Sequence, residues 1–582
     1  MKKSAVILRI LKYLLAHKGL LALAAILTLA SNTLALAAPE ISGRAIDAIA
    51  SQGQVDFDKV YLYAFLMIIL YALSALLGYL LALVMITISR KVVYTMRRQV
   101  FEHLADMPVG YFDKNQTGDI ISRLSYDIDT VNASISNDLI QICAGFITLI
   151  GSAVMMLRIK PILMLVFAIT VPCLIIFTAY RVKKVKPLFK ARSAELGRLN
   201  GYAEEMISGQ KTIRAYGKEE QMIARFDKHN ESAVEAYYKA DYHGSVVGPS
   251  VNFINNLSLS LISMFGALLF LRGSISVGNL SSFILYSRKF SGPINETANI
   301  ISEIQSATSA AERIFTLLDQ NGEDFSLEGK EMITRFKDSV ELEKVDFSYV
   351  PDKKVLCGIS FRLPASGTVA LVGPTGSGKS TVINLLMRFY DPDSGEIRID
   401  SHNTANAPLN NVRSVFTMVL QDTWLFGGTV AENIAYGCDR PVSRDDIIKV
   451  AKIVGMHDYI EKMPRGYDTV IDENGANLSK GQKQLLANAR ALLLDNPILI
   501  LDEATSNVDS ATEMKLQNSM KEMMKGKTCF IVAHRLSTVA SADLILVMQK
   551  GEITEWGSHE ELMQMENGFY RSLYNSQFES TI

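Results

Sequence analysis

The chain has 582 residues, more than one ordinary domain holds, and its hydrophobic residues, 49% of the total, are concentrated in the first half. Its 59 basic and 60 acidic residues nearly balance, which argues against a nucleic-acid-binding protein, because such proteins usually carry a clear basic excess. No CxxC pair occurs, so neither a zinc site nor a disulfide framework is expected. We expect the cysteines to be free thiols in a reducing compartment. The cysteines are Cys143, Cys173, Cys357, Cys438 and Cys529.

The first 18 residues predict an amphipathic helix that lies in the membrane surface. One helical face is aliphatic and the opposite face carries Arg9 and Lys12, the pattern of an interfacial helix. The aliphatic face consists of Ile7, Ile10, Leu11, Leu14 and Leu15. The alternative is a signal peptide, since "MKK" precedes an apolar run that ends in "LALAAPE". The long charged stretch before this run and the later spans disfavour that alternative.

Six segments are candidate membrane spans. Each has about 20 residues or more, enough to cross a hydrocarbon core of about 30 Å at a rise of about 1.5 Å per residue. We place them in a transmembrane domain over residues 19–318, whose two long polar loops, 87–136 and 182–244, extend the helices beyond the bilayer. The spans are residues 19–39, 60–86, 137–156, 161–180, 246–271 and 277–301, the last being the most polar.

The fifth and sixth predicted spans carry many polar side chains. Two adjacent cations, Arg288 and Lys289, are expensive in hydrocarbon and should face a watery cavity, a partner or the membrane boundary. We expect the two spans to line a polar pathway; the alternative is that the polar groups satisfy one another between packed helices. The other polar residues are Asn252, Asn255, Asn256, Ser281, Ser282, Tyr286, Ser287, Ser291, Asn295, Glu296 and Asn299.

A phosphate-binding loop follows the membrane half. Residues 319–335 are charged and predict a linker, and residues 336–582 alternate between strand and helix patterns. Within them, "GTVALVG" predicts a buried strand that leads into a full match to GxxxxGK[ST], and a helix follows from Thr381. Backbone N–H groups of such a loop approach phosphates. The loop consists of Gly373, Pro374, Thr375, Gly376, Ser377, Gly378, Lys379 and Ser380.

Four polar side chains of this half have predicted roles around the phosphates. Lys379 reaches the outer phosphates, and the Ser380 hydroxyl can ligate Mg²⁺. A second apolar strand, "ILILDEATS", ends in Asp502 and Glu503. At that position Asp502 can hold Mg²⁺, usually through water, and Glu503 can polarise a water molecule against the γ-phosphate.

The sequence "LSKGQ" resembles the LSGGQ signature of ATP-binding cassette (ABC) transporters. The resemblance implies that this segment contacts the nucleotide held by the phosphate loop of a partner chain, with Ser479 and Gly481 opening a helix whose N-terminus faces phosphate. The residues concerned are Ser479, Lys480, Gly481 and Gln482.

The other family motifs follow in the family's order. Tyr349 in "VDFSY" resembles the aromatic residue that stacks on adenine, and Gln421 in "VLQDTWLF" resembles the glutamine that reaches Mg²⁺ or water. "SNVD", which ends in Asp509, resembles the D-loop. His534 in "VAHR" resembles the switch histidine, which could hydrogen-bond the γ-phosphate or the water.

The resemblance covers nearly the whole chain and is that of an exporter half-transporter. It implies a six-helix transmembrane domain of the ABC exporter type, with helices extended into the cytosol, plus an α/β P-loop nucleotide-binding domain. It also implies ATP and Mg²⁺ as cofactors, ATP hydrolysis, a second half-transporter as partner, and a multi-pass location in the cytoplasmic membrane with the cassette in the cytosol. ATP would join two cassettes and hydrolysis would release them, which switches the access of the cavity. The segments "YFDKNQTGDIISRLSYDID" and "MISGQKTIRAYGKEE" are similar to the family's coupling-helix regions.

The chain departs from the family pattern around the signature. Lys480 stands where the family usually has Gly, and Asp472 and Asn474 stand where exporters often have Gly and Arg. Such variation resembles the catalytically competent subunit of bacterial heterodimeric multidrug exporters, so we expect a paralogous partner with a degenerate site. The alternative is a homodimer that tolerates Lys480.

The leading hypothesis is ATP-driven export of an amphipathic or hydrophobic small molecule, either drug-like or a lipid. A lipid or peptide exporter working as a homodimer is the alternative, and an ATP-gated regulator or channel is a further one that the complete hydrolytic equipment disfavours. An importer is disfavoured because spans and cassette share one chain in exporter order. Spans that begin near residue 19 disfavour a peptide exporter with its own protease domain.

Overall fold

The chain divides into two compact units. The first comprises Met1–Leu104 and Gly118–Gln320, and the second comprises Ala105–Thr117 and Asn321–Ile582. The computed structural model describes residues 3–50, 55–326, 331–333, 336–421, 423–438, 440–472, 475, 477–502, 509–532 and 539–579.

Long helices form the first half of the chain. The second, α2, continues through Pro39, and the run Thr117–Ile159, called α5 here, contains two π-helical stretches, Arg123–Asp127 and Ser134–Asp138. The helices are α1 (Lys3–Leu15), α2 (Lys18–Ala50), α3 (Phe57–Ala105), α4 (Val109–Lys114), α5 (Thr117–Ile159), α6 (Pro161–Ser208), α7 (Gln210–Ala215), α8 (Glu219–Ser245), α9 (Val247–Leu271) and α10 (Val277–Leu318). Of these, α4 belongs to the second unit.

Five helical runs among the described residues are long and apolar enough to cross a membrane: α2, α3, α5, α6 and the run Glu219–Leu271, which joins α8 and α9. They contain the first five spans predicted from the sequence. The sixth predicted span lies on α10, a helix of 42 residues that is not counted with these five.

Helix α10 is fixed against α2 by hydrogen bonds to one acidic side chain. Asp47 accepts a hydrogen bond from the Ser276 hydroxyl and another from the backbone N–H of Gly278, both at 2.7 Å. Ser276 is itself the N-cap of α10 and accepts from the N–H of Asn279 at 3.0 Å. A carboxylate at this position satisfies orphan donors and suits the positive end of the helix dipole.

Two buried or half-buried cation contacts tie further helices to the C-terminal part of α10. Arg313 on α10 forms a bidentate ion pair with Asp127 of α5, whose exposed fraction is only 2%. Arg9 on α1 pairs with Asp319 at 2.6 Å, and its guanidinium lies 4.4 Å from the centroid of the Phe315 ring. A buried carboxylate is costly unless it is paired, so the Asp127–Arg313 pair constrains how α5 and α10 pack.

The second unit alternates strands and helices. Its strands are β1 (Ser339–Phe347), β2 (Leu356–Pro364), β3 (Thr368–Val372), β4 (Ser394–Ile399), β5 (His402–Asn403), β6 (Phe416–Val419), β7 (Gly428–Thr429), β8 (Val470–Ile471), β9 (Ile498–Asp502), β10 (Thr528–Val532), β11 (Leu544–Gln549) and β12 (Glu552–Gly557). Its helices after α4 are α11 (Lys379–Leu386), α12 (Leu409–Ser414), α13 (Val430–Ala435), α14 (Arg444–Ile453), α15 (His457–Glu461), α16 (Lys480–Leu494), α17 (Ser510–Met524), α18 (His559–Gln564) and α19 (Phe569–Glu579).

The main sheet of this unit has the strand order β12-β11-β3-β10-β9-β6. All neighbours pair in parallel except β11 and β12, which are antiparallel. Strands β3, β9 and β10 are almost entirely buried, as expected for a parallel sheet covered on both faces, and this explains their continuous apolar sequences. A second, antiparallel sheet has the order β2-β1-β4-β5. The parallel pairing places the carboxyl ends of β3, β10, β9 and β6 at one edge.

We expect Gly43→Ala to destabilise the first unit, since an added Cβ would lie 2.5 Å from the carbonyl oxygen of Gly278 on α10. Forcing extra volume into such a contact costs about 1–3 kcal/mol. Thermal unfolding of the purified protein in detergent measures the effect. Gly19→Ala on the same helix is the matched control, because its Cβ would have no atom within 4 Å. Equal unfolding temperatures for the two variants would contradict the proposed close approach of α2 and α10.

Candidate nucleotide site

The predicted phosphate-binding loop joins β3 to α11. Strand β3 ends at Val372 and the helix begins at Lys379. Three glycines of the loop have positive φ: Gly373 at 153°, Gly376 at 81° and Gly378, the N-cap, at 102°. A Cβ at Gly373 would collide with the backbone carbonyl of Met548, so this position also requires a residue without a side chain.

The Lys379 side chain folds back onto the phosphate-binding loop. Its Nζ donates to the carbonyl oxygens of Gly373 at 2.8 Å and Pro374 at 3.0 Å, and the residue is 7% exposed. Burial lowers the pKa of the Lys379 amine below its ordinary value, and the carboxylate of Asp502 opposes this shift. The ammonium group is thus held at the loop, beside the acidic end of β9.

The Ser377 side chain is suited to contact an anionic ligand. The residue is 2% exposed, and its Oγ has no hydrogen-bond partner among the described residues. A buried hydroxyl without a partner is unfavourable, and a phosphate oxygen would satisfy it. Ser380, by contrast, is exposed at the start of α11, where its hydroxyl is accessible to a metal ion or to solvent.

Two other residues with predicted roles at the nucleotide, Asp502 and Gln421, lie at or near the carboxyl edge of the sheet. Asp502 is the last residue of β9, and Gln421 lies two residues beyond the end of β6 with its side chain exposed. Strand β10 lies between β3 and β9, so Asp502 and the phosphate loop are separated by one strand. Glu503 and His534 follow β9 and β10 in the sequence and lie outside the described residues.

Tyr349 is anchored at its hydroxyl. The hydroxyl donates to Thr381 Oγ1 at 3.3 Å and accepts from the side-chain amide of Asn384 at 3.0 Å. The ring meets Phe347 and Tyr390 edge to face, with centroid distances of 4.8 and 5.0 Å. These contacts join the predicted adenine-stacking residue to the first turns of α11.

Tyr390 and Asp113 were not identified from the sequence. The Tyr390 hydroxyl donates to Asp113 Oδ2 at 2.5 Å, and its ring lies against Gly110, so α4 packs on the aromatic cluster that contains Tyr349. Burial, and then the hydrogen bond to Asp113, raise the pKa of the Tyr390 hydroxyl. The two residues are 277 positions apart in the sequence, and no local pattern signals such a contact.

The signature segment forms the start of α16. Ser479 is the N-cap in a capping box with Gln482, Lys480 is the first helical residue with an exposed side chain, and Gly481 is buried. Among the described residues, no hydrogen bond or ion pair joins this segment to the phosphate loop. Asp509 caps α17 by accepting from the N–H of Thr512 at 2.9 Å, and that bond lowers the pKa of its carboxyl.

The arrangement can hold a triphosphate. Loop N–H groups, a buried ammonium, an unpartnered hydroxyl and a helix N-terminus meet at the end of a buried strand, the combination that binds phosphate in loops of this type. Carboxylate, hydroxyl and amide oxygens at the same edge are of the type that binds a divalent cation.

Two family descriptions match the chain: ABC transporter transmembrane region over residues 21–294, and ABC transporter over residues 356–506. The chain is 39% identical to the uncharacterized ABC transporter ATP-binding protein YfiC of Bacillus subtilis (strain 168), over 98% of this chain and 94% of YfiC.

Other relatives have names that state a substrate. Identity is 37% with a fatty acid ABC transporter ATP-binding/permease protein of Mycobacterium tuberculosis (strain CDC 1551 / Oshkosh), over 90% of this chain and 83% of the relative. It is 36% with an ATP-dependent lipid A-core flippase of Vibrio vulnificus (strain YJ016), over 84% of each. The solved structure of a bacterial Atm1-family ABC exporter with ATP bound is similar with a TM-score of 0.80 at 27% identity, covering 96% of this chain and 98% of that chain.

The Ser377 hydroxyl provides a test of the phosphate site. Without nucleotide, Ser377→Ala removes a buried hydroxyl that no described residue hydrogen-bonds. We therefore expect the free energy of unfolding to stay equal or rise, by up to about 1–3 kcal/mol. The increase in unfolding temperature on adding ATP should shrink, because a phosphate contact is lost.

Thr417→Val is the matched control. Thr417 on β6 is 3% exposed and its Oγ1 also lacks a partner among the described residues. This variant should keep the full ATP-dependent increase in unfolding temperature. If Ser377→Ala also kept the full ATP-dependent increase in unfolding temperature, the Ser377 hydroxyl would not contact nucleotide.

Proposed function

Since this chain belongs to the ABC exporters, multi-pass membrane proteins that hydrolyse ATP and work as dimers, we propose that it exports a lipid-like amphiphile from the cytoplasmic side of the membrane. The observation that carries this proposal is an apolar cavity of about 530 Å³ between α6 and α9. Aliphatic and aromatic residues such as Leu165, Ile169 and Phe265 line it. Such a lining suits a hydrocarbon chain, because burial of apolar area is the main favourable term there.

The names of two relatives support the same substrate class, since one is a fatty acid transporter and the other a lipid A-core flippase. In this proposal α10 is the sixth membrane span, and its polar residues face protein or an aqueous cavity rather than lipid. Drug-like amphiphiles are the other substrate class that an apolar cavity suits, and the transport assay below compares the two.

The proposed hydrolytic roles are those that the resemblance to the family motifs implies. The loop Gly373–Ser380 and Thr381 bind the phosphates, Lys379 neutralises their charge and Tyr349 stacks on the adenine. Bound Mg²⁺ would offset phosphate charge, and Ser380, Gln421 and Asp502 are the residues that would hold it. Glu503 orients and deprotonates the attacking water, and His534 hydrogen-bonds the γ-phosphate or that water.

The second half-transporter completes the site. In this proposal Ser479, Lys480, Gly481 and Gln482 contact the nucleotide held by the partner, and Asp509 lies near the dimer interface. Lys480 puts a long side chain at the first residue of α16, where a glycine would let phosphate oxygens come close to the helix N-terminus. We therefore infer a paralogous partner, whose phosphate loop faces this altered signature and forms the weaker of the two sites.

Transport in proteoliposomes tests the export function. With ATP and Mg²⁺, the reconstituted dimer should move a fluorescent fatty acid or phospholipid analogue between the leaflets, and more strongly than a panel of drug-like dyes. Glu503→Gln should still bind ATP, while hydrolysis and transport fall by about 10²–10⁴-fold, the usual contribution of a general base. Equal transport by Glu503→Gln would remove Glu503 from its role, and absence of lipid movement by the wild type would refute lipid export.

A second experiment distinguishes the paralogous pair from a homodimer. The chain purified without any paralogue should hydrolyse ATP slowly, and Lys480→Gly should raise the turnover severalfold, because the altered signature then regains a close approach to phosphate. Lys480→Arg, which keeps bulk and charge, is the control and should remain slow. Robust turnover of the unmodified lone chain would instead support the homodimer.

A further inference from the structure

Arg288 is a cation near the middle of the predicted span 277–301. Its side chain is exposed in this chain, and it forms no ion pair with any described residue. The acidic residue nearest to it on α10 is Glu296, which lines a separate cavity together with Gln141. An unpaired arginine at this depth is expensive unless it faces water, a partner or a ligand.

Arg288 lines a polar cavity of about 210 Å³ between α6, α9 and α10. The other polar residues in its wall are Asn255, Asn256, Ser258, Ser287 and Ser291. Hydroxyl and amide groups of these types can donate hydrogen bonds to an oxyanion. Ser258 and Ser287 already donate their hydroxyl protons, to the carbonyl oxygen of Ile254 and to the sulfur of Met156. The cavity thus presents one full positive charge, with the side chains of Asn256 and Ser291 as neutral donors.

Other polar residues of α10 are used for helix packing and do not line this cavity. The Ser282 hydroxyl donates to the carbonyl oxygen of Pro39 at 2.8 Å, and the Tyr286 hydroxyl donates to that of Leu36 at 2.7 Å. The structure therefore separates a polar face that packs on α2 from the face that carries Arg288.

The polar and the apolar cavity are lined at the same level of α6 and α9 by consecutive residues. Phe167 lines the polar cavity and Val166, its neighbour on α6, lines the apolar cavity; Ile262 and Leu261 on α9 are related in the same way. Along α9 the two cavities run from Asn255 to Arg272, about 25 Å at the rise of an α-helix. This polar-to-apolar order along α9 matches a molecule with a charged end and an extended hydrocarbon chain.

We propose that these two cavities together form the binding site of an anionic amphiphile, with its carboxylate or phosphate oxyanion on Arg288 and its acyl chain along α6 and α9. This inference rests on the proposed export function and adds the charge of the substrate to it. The Arg288 guanidinium, which has no ion-pair partner among the described residues, attracts oxyanions and repels cationic headgroups. Charge therefore selects the substrate, while the apolar cavity provides affinity.

Binding to the dimer in nanodiscs of zwitterionic lipid tests the proposal. The probes are hexadecanoate, hexadecanol and hexadecyltrimethylammonium, which share a chain and differ in charge. Displacement of a fluorescent fatty acid gives the affinities, and stimulation of ATP hydrolysis is recorded in parallel. Hexadecanoate should bind most tightly, and Arg288→Gln should weaken it roughly tenfold or more, as expected for the loss of a desolvated charge partner.

Two further variants serve as controls. Arg288→Lys keeps the charge and should retain the preference for the anion, whereas Arg158→Gln removes an exposed cation at the end of α5, outside both cavities, and should leave the three affinities unchanged. Affinities for the alcohol and the cation should not fall in Arg288→Gln.

Three outcomes would overturn the inference. One is equal affinity of the wild type for all three probes, and a second is an unchanged hexadecanoate affinity in Arg288→Gln. The third is an equal loss for all probes in that variant, which would assign Arg288 to a carboxylate of the partner or to helix packing. The proposed lipid export is tested independently of this binding site. It would be refuted, and the binding site would not, if hexadecanoate bound as described but no lipid analogue moved between leaflets in proteoliposomes.

Discussion

The parallel pairing of β3, β10 and β9 is the constraint on which the nucleotide site depends. It aligns the carboxyl ends of these strands, so the phosphate loop after β3 and Asp502 at the end of β9 lie at one edge of the sheet. Close approach of the loop to Met548 on β11 then leaves room only for glycine at position 373. The backbone N–H groups and the Lys379 ammonium are thereby fixed in place before any ligand binds, which is how such sites avoid a large ordering cost.

The aromatic cluster around Tyr349 extends this rigid region. Tyr349 is held by Thr381 and Asn384 of α11 on one side and by Tyr390 on the other, and Tyr390 is in turn bonded to Asp113 of α4. A short helix from between α3 and α5 is thus packed in the same unit as the nucleotide site.

The polar side chains of the apolar half differ in what they contact: some bond to neighbouring helices, and others line a cavity. Ser276, Ser282 and Tyr286 satisfy groups of α2, and Arg313 satisfies Asp127. These contacts stabilise the packing of α10, because an unsatisfied polar group in a low-dielectric surrounding is costly. Arg288 has no such partner among the described residues, and this contrast is what distinguishes a packing residue from a candidate ligand contact.

Local sequence patterns determined the long helices of the first half and the phosphate-binding loop. Runs of about 20 apolar residues predicted the long helices, and "GPTGSGKS" after a buried strand predicted the phosphate loop, because both patterns depend on neighbours along the chain. Tertiary structure alone decided which polar residues of α10 pack on α2 and which line a cavity, since helical neighbours on either face have similar composition. It also decided the Tyr390–Asp113 contact, because the two residues are brought together from distant parts of the chain. The burial of the Ser377 hydroxyl without a hydrogen-bond partner among the described residues is likewise a result of the tertiary packing around the loop.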